Sequence, residues 1–148
     1  MTAVRDDRAL AGPAAGLELL STPQAAGTAR RHVRGLLSGN GCSEDDVSSA
    51  VLLTSEVVTN AVLHGSPPIV LRLRHWGASL RVEVRDAGAA FGSASKGSSD
   101  LTAEGGRGLA LIEALATSWG RTAHDDVPIG KSVWFEIVRD PPGPSGSA

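Results

Sequence analysis

Residues 51–65, VLLTSEVVTNAVLHG, constrain the fold most: an apolar run interrupted at four-residue intervals by Glu56, Asn60 and His64. Residues four apart share one face of an α-helix, so the spacing predicts a long helix carrying a polar stripe. Leu52, Leu53, Val57 and Leu63 fall around that stripe, which predicts a carboxylate and an amide set among apolar neighbours. Burying either group without a partner costs about 1–3 kcal/mol, more if the carboxylate stays charged. The stripe must therefore pair internally, lie on a helix packed less completely than its pattern suggests, or meet a ligand.

A chain of 148 residues with 41% hydrophobic content suits one globular domain with a sizeable core. A formal charge of −2 gives no bulk electrostatic basis for binding nucleic acid. Cys42, the only cysteine in the sequence, excludes an internal disulfide and a multi-cysteine metal site, and a cytoplasmic setting is the expectation that fits. Arg5, Asp6, Asp7, Arg8 and Pro13 break the first sixteen residues, leaving no signal-peptide core, and no apolar run is long enough to span a membrane. Segments 1–16 and 139–148 have the composition of flexible ends, which predicts a folded domain over 17–138.

Within that domain, Leu17 to Leu20 reads as a short edge strand. Thr22 followed by Pro23 predicts an N-cap and first helical residue, with Ala26, Ala29, Val33, Leu36 and Leu37 as the apolar stripe. Arg30, Arg31 and Arg34 line the other side of that helix, a solvated face in the simpler reading. Ser43 and Asp46 resemble a capping box for the central helix, which Gly65 and Pro67-Pro68 end. His64 at the helix C-terminus complements the dipole, and a single histidine is a poor basis for metal binding.

Two alternating runs, Ile69 to His75 and Leu80 to Arg85, predict an antiparallel hairpin. Leu80, Val82 and Val84 share one face, and continuing the alternation places Asp86 on that core side. A buried acceptor followed by Ala87-Gly88 suits a flat polar ring, although an Asp that starts a turn competes. Residues 87–108 are rich in Gly, Ser and Ala, with only Phe91 and Leu101 as large apolar side chains, which predicts a mobile lid. Its end, Glu104-Gly105-Gly106-Arg107-Gly108, precedes a helix bearing Leu109, Ile112 and Ala116, and glycines at a helix N-terminus let amides approach phosphate. A second hairpin is predicted from Trp119 to Val138, with Val133, Phe135 and Ile137 as its buried face. Gly130-Lys131-Ser132 is not a P-loop, because position 125 is Asp and a strand follows. The protein-kinase glycine loop and catalytic-loop signature are also absent.

The order Glu56-x-x-x-Asn60 on a helix, Asp86-Ala-Gly88 at a strand end and Gly105-Gly-Arg-Gly108-Leu opening a helix resembles the ATPase domain shared by gyrase, a heat-shock chaperone, histidine kinases and the MutL repair protein. The phrases SEVVTNAVLHG, GGRGLALIEALA, WG and GKSVWFEI look like the anti-sigma-factor serine kinases within that superfamily. The resemblance covers roughly residues 17–138. It implies an α+β fold, a two-layer α/β sandwich with a mixed, mostly antiparallel sheet and helices on one face.

It also implies ATP and Mg²⁺ as cofactors. Asn60 would ligate Mg²⁺ through its side-chain oxygen. Glu56 would be the general base toward a serine or threonine hydroxyl. Asp86 would accept from the adenine amino group, with Gly88 leaving room beside the base. Gly105, Gly106, Arg107, Gly108 and Leu109 would cover the phosphates, and Ser132 would lie near Asp86. The family's second glycine after the Asp-x-Gly element is Ala90 here, which implies reduced nucleotide affinity. The implied partners are a sigma factor and an anti-sigma-factor antagonist, with a homodimer possible and neither nucleic acid nor membrane involved. A protein-binding module of the same fold without phosphate transfer is the alternative. A detached histidine-kinase catalytic domain ranks last, since the chain has little room for a dimerisation segment.

Overall fold

The computed structural model describes residues 15–38, 41–76, 79–88, 110–124 and 130–138. Their elements are β1 (Ala15–Leu19), α1 (Ala25–Leu37), α2 (Glu44–His64), β2 (Ile69–Trp76), β3 (Ser79–Asp86), β4 (Ser118–His124) and β5 (Gly130–Ile137). Residues 110–115, between β3 and β4, are also helical. The strands form one five-stranded sheet in the order β1-β2-β3-β5-β4. Each of its four pairings is antiparallel, so the mixed sheet expected from the resemblance is replaced by a wholly antiparallel one among the described strands. The reason is local: β4 and β5 arrive as a hairpin whose second strand, β5, docks against β3.

Alternation fixes which face is core. Paired strands place Leu73, Val82 and Phe135 in one cross-strand row, and Leu71, Val84 and Val133 in the next. Phe135, Leu71, Leu73 and Leu80 are essentially fully buried there, each burial worth about 1.5–3 kcal/mol. The opposite face carries Arg81, whose guanidinium lies 4.2 Å from the centre of the Trp134 ring and 3.3 Å from Glu136. Gly120 faces Trp134 across the β4–β5 pair, where a Cβ would fall 2.6 Å from the indole.

Helix α1 presents Ala25, Ala29, Val33 and Leu37 to the core, the expected stripe. It starts later than Thr22-Pro23 suggests. The Thr22 carbonyl accepts from the Ala25 amide at 3.0 Å, closing a turn ahead of the helix, and the cap position falls to Gln24, which makes no side-chain cap bond. The arginines of its other side are satisfied within the chain: Arg30 donates to Ser55 at 2.9 Å and Arg34 meets Glu44 at 3.2 Å.

Helix α2 begins as expected, with the Ser43 hydroxyl accepting from the Asp46 amide at 3.0 Å. Its buried side is Val47, Ala50, Val51, Leu53, Thr54, Val57, Val58 and Ala61. The polar stripe differs from its expected apolar setting: Glu56 and Asn60 are half-buried at the rim, His64 is exposed, and Leu52 and Leu63 beside them are 40% and 65% exposed. The helix is so apolar that even its solvent side holds leucines, so the pattern overstates burial. The same richness gives α2 the length and composition to cross a membrane, at a mean hydropathy of 1.2, contrary to the expectation of no such run. Its packed face makes it the core helix of this sheet.

At its end, Gly65 donates to the Ala61 carbonyl at 2.8 Å in an extended, negative-φ conformation. Glycine is needed there for space: a Cβ would fall 2.6 Å from both oxygens of Asp86. Gly65→Ala should therefore destabilise the protein by about 1–3 kcal/mol through overpacking. Gly35→Ala, on the exposed side of α1 with nothing within 4 Å of the new methyl, should stabilise it by about 0.5–1 kcal/mol. Urea titration of both variants checks the pair; equal effects would remove the close contact at Gly65.

Candidate functional site

The site is built where β3 ends against the end of α2. Asp86 continues the Leu80-Val82-Val84 alternation, so its carboxylate enters the core face and is only 5% exposed. A carboxylate in that position needs donors, and three converge on Oδ1: the Gly88 amide at 2.7 Å, the Lys131 ammonium at 2.9 Å and the Ser66 amide at 3.3 Å. The Ser66 carbonyl in turn accepts from the Ala87 amide at 2.8 Å, so the end of β3 is tied to the connection after α2. Oδ2 receives none of these donors.

Three glycines make the recess. Beyond Gly65, a Cβ on Gly88 would stand 2.9 Å from Asp86 Oδ1 and 3.0 Å from Lys131 Nζ, and one on Gly130 would meet the Asp86 carbonyl. The expected role of Gly88 as a spacer fits this geometry. A methyl at 65 or 88 would displace the carboxylate or its lysine, and one at 130 would displace the backbone of Asp86 and Ala87.

Strand register separates the two β5 candidates. Asp86 pairs with Lys131 and Arg85 with Ser132, so Lys131 shares the core face with Asp86 while Ser132 points to the other face. There Ser132 is fully buried, its hydroxyl sharing a 2.7 Å hydrogen bond with His124 Nε2. Ser132 is therefore not beside Asp86, and this corrects its expected place. Lys131, read only as part of a failed P-loop, takes the position. The signal was available: Lys131 lies in step with Val133, Phe135 and Ile137, the strand's expected buried face.

Asn60 and Glu56 lie back along α2 from Gly65. At about 1.5 Å per residue they sit roughly 7 and 13 Å along the axis from it. Among the described residues no side chain hydrogen-bonds to either group, so both are available to a ligand. Gly105, Gly106, Arg107, Gly108, Leu109, the lid segment and Ala90 lie outside the described residues. No group of three or more His, Cys, Asp or Glu placed to hold a metal occurs among those described. A divalent cation at Asn60 would thus need oxygens from its own ligand, as a phosphate-bound Mg²⁺ has.

Two other features adjoin this arrangement or lie apart from it. A cavity of about 310 Å³ opens on the outer sheet face between Arg72, Glu83 and Arg85, with Asp86 and Ala87 at its edge. Burial, with Asp46 nearby, pushes the Cys42 thiol up, so it holds little thiolate and is a poor nucleophile.

Comparison with known proteins agrees with the fold. Residues 19–137 match the histidine kinase-like ATPase domain family. Among solved structures, the chain is similar to the RsbU and RsbW domains of Rv1364c from Mycobacterium tuberculosis, with a TM-score of 0.62 and 26% identity over 84% of this chain. It spans 32% of that longer chain. No match is found among curated proteins. With a match over most of its length, an antiparallel sheet backed by helices and a buried strand-end aspartate in a glycine recess, the chain belongs to the histidine kinase-like ATPase domain family.

Proposed function

We propose that this chain binds ATP with its adenine against Asp86 and acts as a serine/threonine kinase and anti-sigma factor on an anti-sigma-factor antagonist. The observation that carries the reading is the Asp86 carboxylate, anchored through Oδ1 with Oδ2 left to accept from an amino group. The residues fit the nucleotide and its cation in kind. Asp86 lies in a recess that a Cβ would fill, and the Asn60 amide supplies a neutral oxygen ligand.

The order along α2 supports the same reading. Beginning at Gly65, a ligand meets the base-reading carboxylate, then the Asn60 amide, then Glu56. Bound Mg·ATP would supply the γ-phosphoryl group and the oxygens that complete the cation's shell. Asn60 would hold the cation through its side-chain oxygen. Glu56 takes the proton from the attacking hydroxyl, so the new phosphate ester forms as ADP leaves. Gly105 to Leu109 would close over the phosphates, by resemblance.

The anti-sigma role rests on the sequence resemblance and on the likeness to a chain with RsbU and RsbW domains. A sigma factor and an antagonist are the partners this reading names, in the cytoplasm, with a homodimer as one possible assembly. A binding module without transfer has one observation in its favour: Leu52 and Leu63 flank Glu56 on the exposed side of α2 and suit a docked protein.

Asp86→Asn should weaken ATP binding roughly ten- to a hundred-fold, the value of a hydrogen bond to a charged group. Calorimetric titration with Mg·ATP measures it, and unchanged affinity would remove the adenine assignment. Glu56→Gln should leave ATP affinity nearly constant while phosphate transfer to an antagonist falls about 10²–10⁴-fold. Transfer at the wild-type rate would exclude Glu56 as the base. ATP binding by the wild type without transfer to any antagonist of the same genome would favour the module.

A further inference from the structure

We propose that the outer face of the sheet is a self-association surface, on which a second copy of this chain packs about a two-fold axis between β2 and β3. The inference goes beyond the nucleotide reading and does not rest on it. Its starting point is a pair of opposite charges that do not meet. Arg72 and Glu83 stand directly opposite one another across β2 and β3, where unlike charges attract. Among the described residues neither makes an ion pair. A cavity of about 310 Å³ opens beside both, with Pro68 and Val70 in its wall.

The face around them is uncovered and balanced in charge. It carries no helix among the described residues, and strand parity places Glu18, Arg74 and Trp134 on it with Val70, Arg72 and Glu83. Arg81 is neutralised there by Glu136 at 3.3 Å. Arg72, Arg74, Glu18 and Glu83 have no ionic partner among the described residues, which leaves two open charges of each sign. A face of one sign would repel its copy, whereas this one is its own complement. Val70 and Trp134 are half-buried and add apolar and aromatic area of the kind found in interface cores.

Symmetry turns the unpaired charges into contacts. An axis lying in the interface, parallel to the strands and midway between β2 and β3, exchanges the two strands. It sets Arg72 of each copy against Glu83 of the other, so one ion pair is made twice. Facing sheets stand about 10 Å apart, a gap that an arginine and a glutamate span together. The incoming arginine lays its stem along Val70 and Pro68 and carries its guanidinium into the cavity. The same axis brings Arg74 toward the partner's Arg81, whose charge Glu136 already answers. An interface of this kind is satisfied by two copies, so the assembly closes as a dimer.

Sedimentation equilibrium of the full chain without nucleotide tests the surface, using the wild type, Arg72→Glu, Glu83→Arg and an equimolar mixture of the two variants. The wild type should dimerise, and more weakly as salt rises. Each variant sets like charges face to face twice and should dimerise roughly a hundred-fold more weakly or worse. The mixture should recover a dimer at wild-type affinity or tighter, since the two altered faces complement each other. Mixing cannot repair a folding defect, so this recovery reports contact between copies. A wild type that stays monomeric at its highest soluble concentration would overturn the proposal, as would variants that dimerise like the wild type or a mixture of folded variants that stays monomeric. If a charge reversal folds poorly, Arg72→Gln and Glu83→Gln remove the charges singly and should each weaken the dimer roughly ten-fold; unchanged affinity in both would overturn it equally. Titration of Mg·ATP into the same variants should give the wild-type affinity, which keeps the fate of the nucleotide reading separate from that of the dimer.

Discussion

The Asp86 carboxylate, buried at the end of β3 and held by three donors on one oxygen, is the interaction on which the site geometry depends. Those donors come from separate parts of the chain: Ser66 after α2, Gly88 after β3 and Lys131 on β5. A charge at that depth is tolerable only when it is so paired, and removing a partner leaves the remainder uncompensated. The glycines at 65, 88 and 130 follow from it, since each lies where a methyl would collide with Asp86 or its neighbours. One carboxylate thus sets the end of a helix, the course of a turn and the start of a strand.

The rest of the fold brings these pieces together. Helix α2 is fixed by its buried face against the sheet, which leaves Asn60 and Glu56 half-buried at its rim. The other face of the sheet, which carries no helix among the described residues, is stabilised differently. Arg81 stacks on Trp134 and pairs with Glu136, which also accepts from the Ser118 hydroxyl at 3.1 Å. An antiparallel sheet covered on one side alternates in this way, and here the alternation is what separates Lys131 from Ser132.

Much of this was legible in the sequence, where a strict period left little freedom. The β2–β3 hairpin and the inward direction of Asp86 came from two-residue alternation, and the extent of α2 came from a serine cap and a terminal glycine. The start of α1 was not legible, because Thr22 uses its backbone carbonyl in a turn to Ala25 and not its side chain as a cap. The depth of the Glu56 stripe was overstated, because a helix with leucines on both sides carries little information about which side is covered. Ser132 lies away from Asp86 because the parity of β5 turns it to the outer face, and the same parity brings Lys131 to Asp86. The crowding at Gly65 and Gly130 is a contact between distant segments that no local pattern encodes.

Amide NMR during nucleotide titration tests the central claim most directly, because the Ser66 and Gly88 N–H groups donate to the very carboxylate assigned to the base. Drawing Oδ2 into a bond with adenine alters the electron density and position of Oδ1. The account predicts that saturating Mg·ATP shifts the Ser66 and Gly88 amides along one binding curve, with adenosine alone moving the same two resonances. If both amides stay unmoved at saturating ATP, or the shifts fall on the outer sheet face around Trp134 instead, the base does not sit at Asp86 and the account is contradicted.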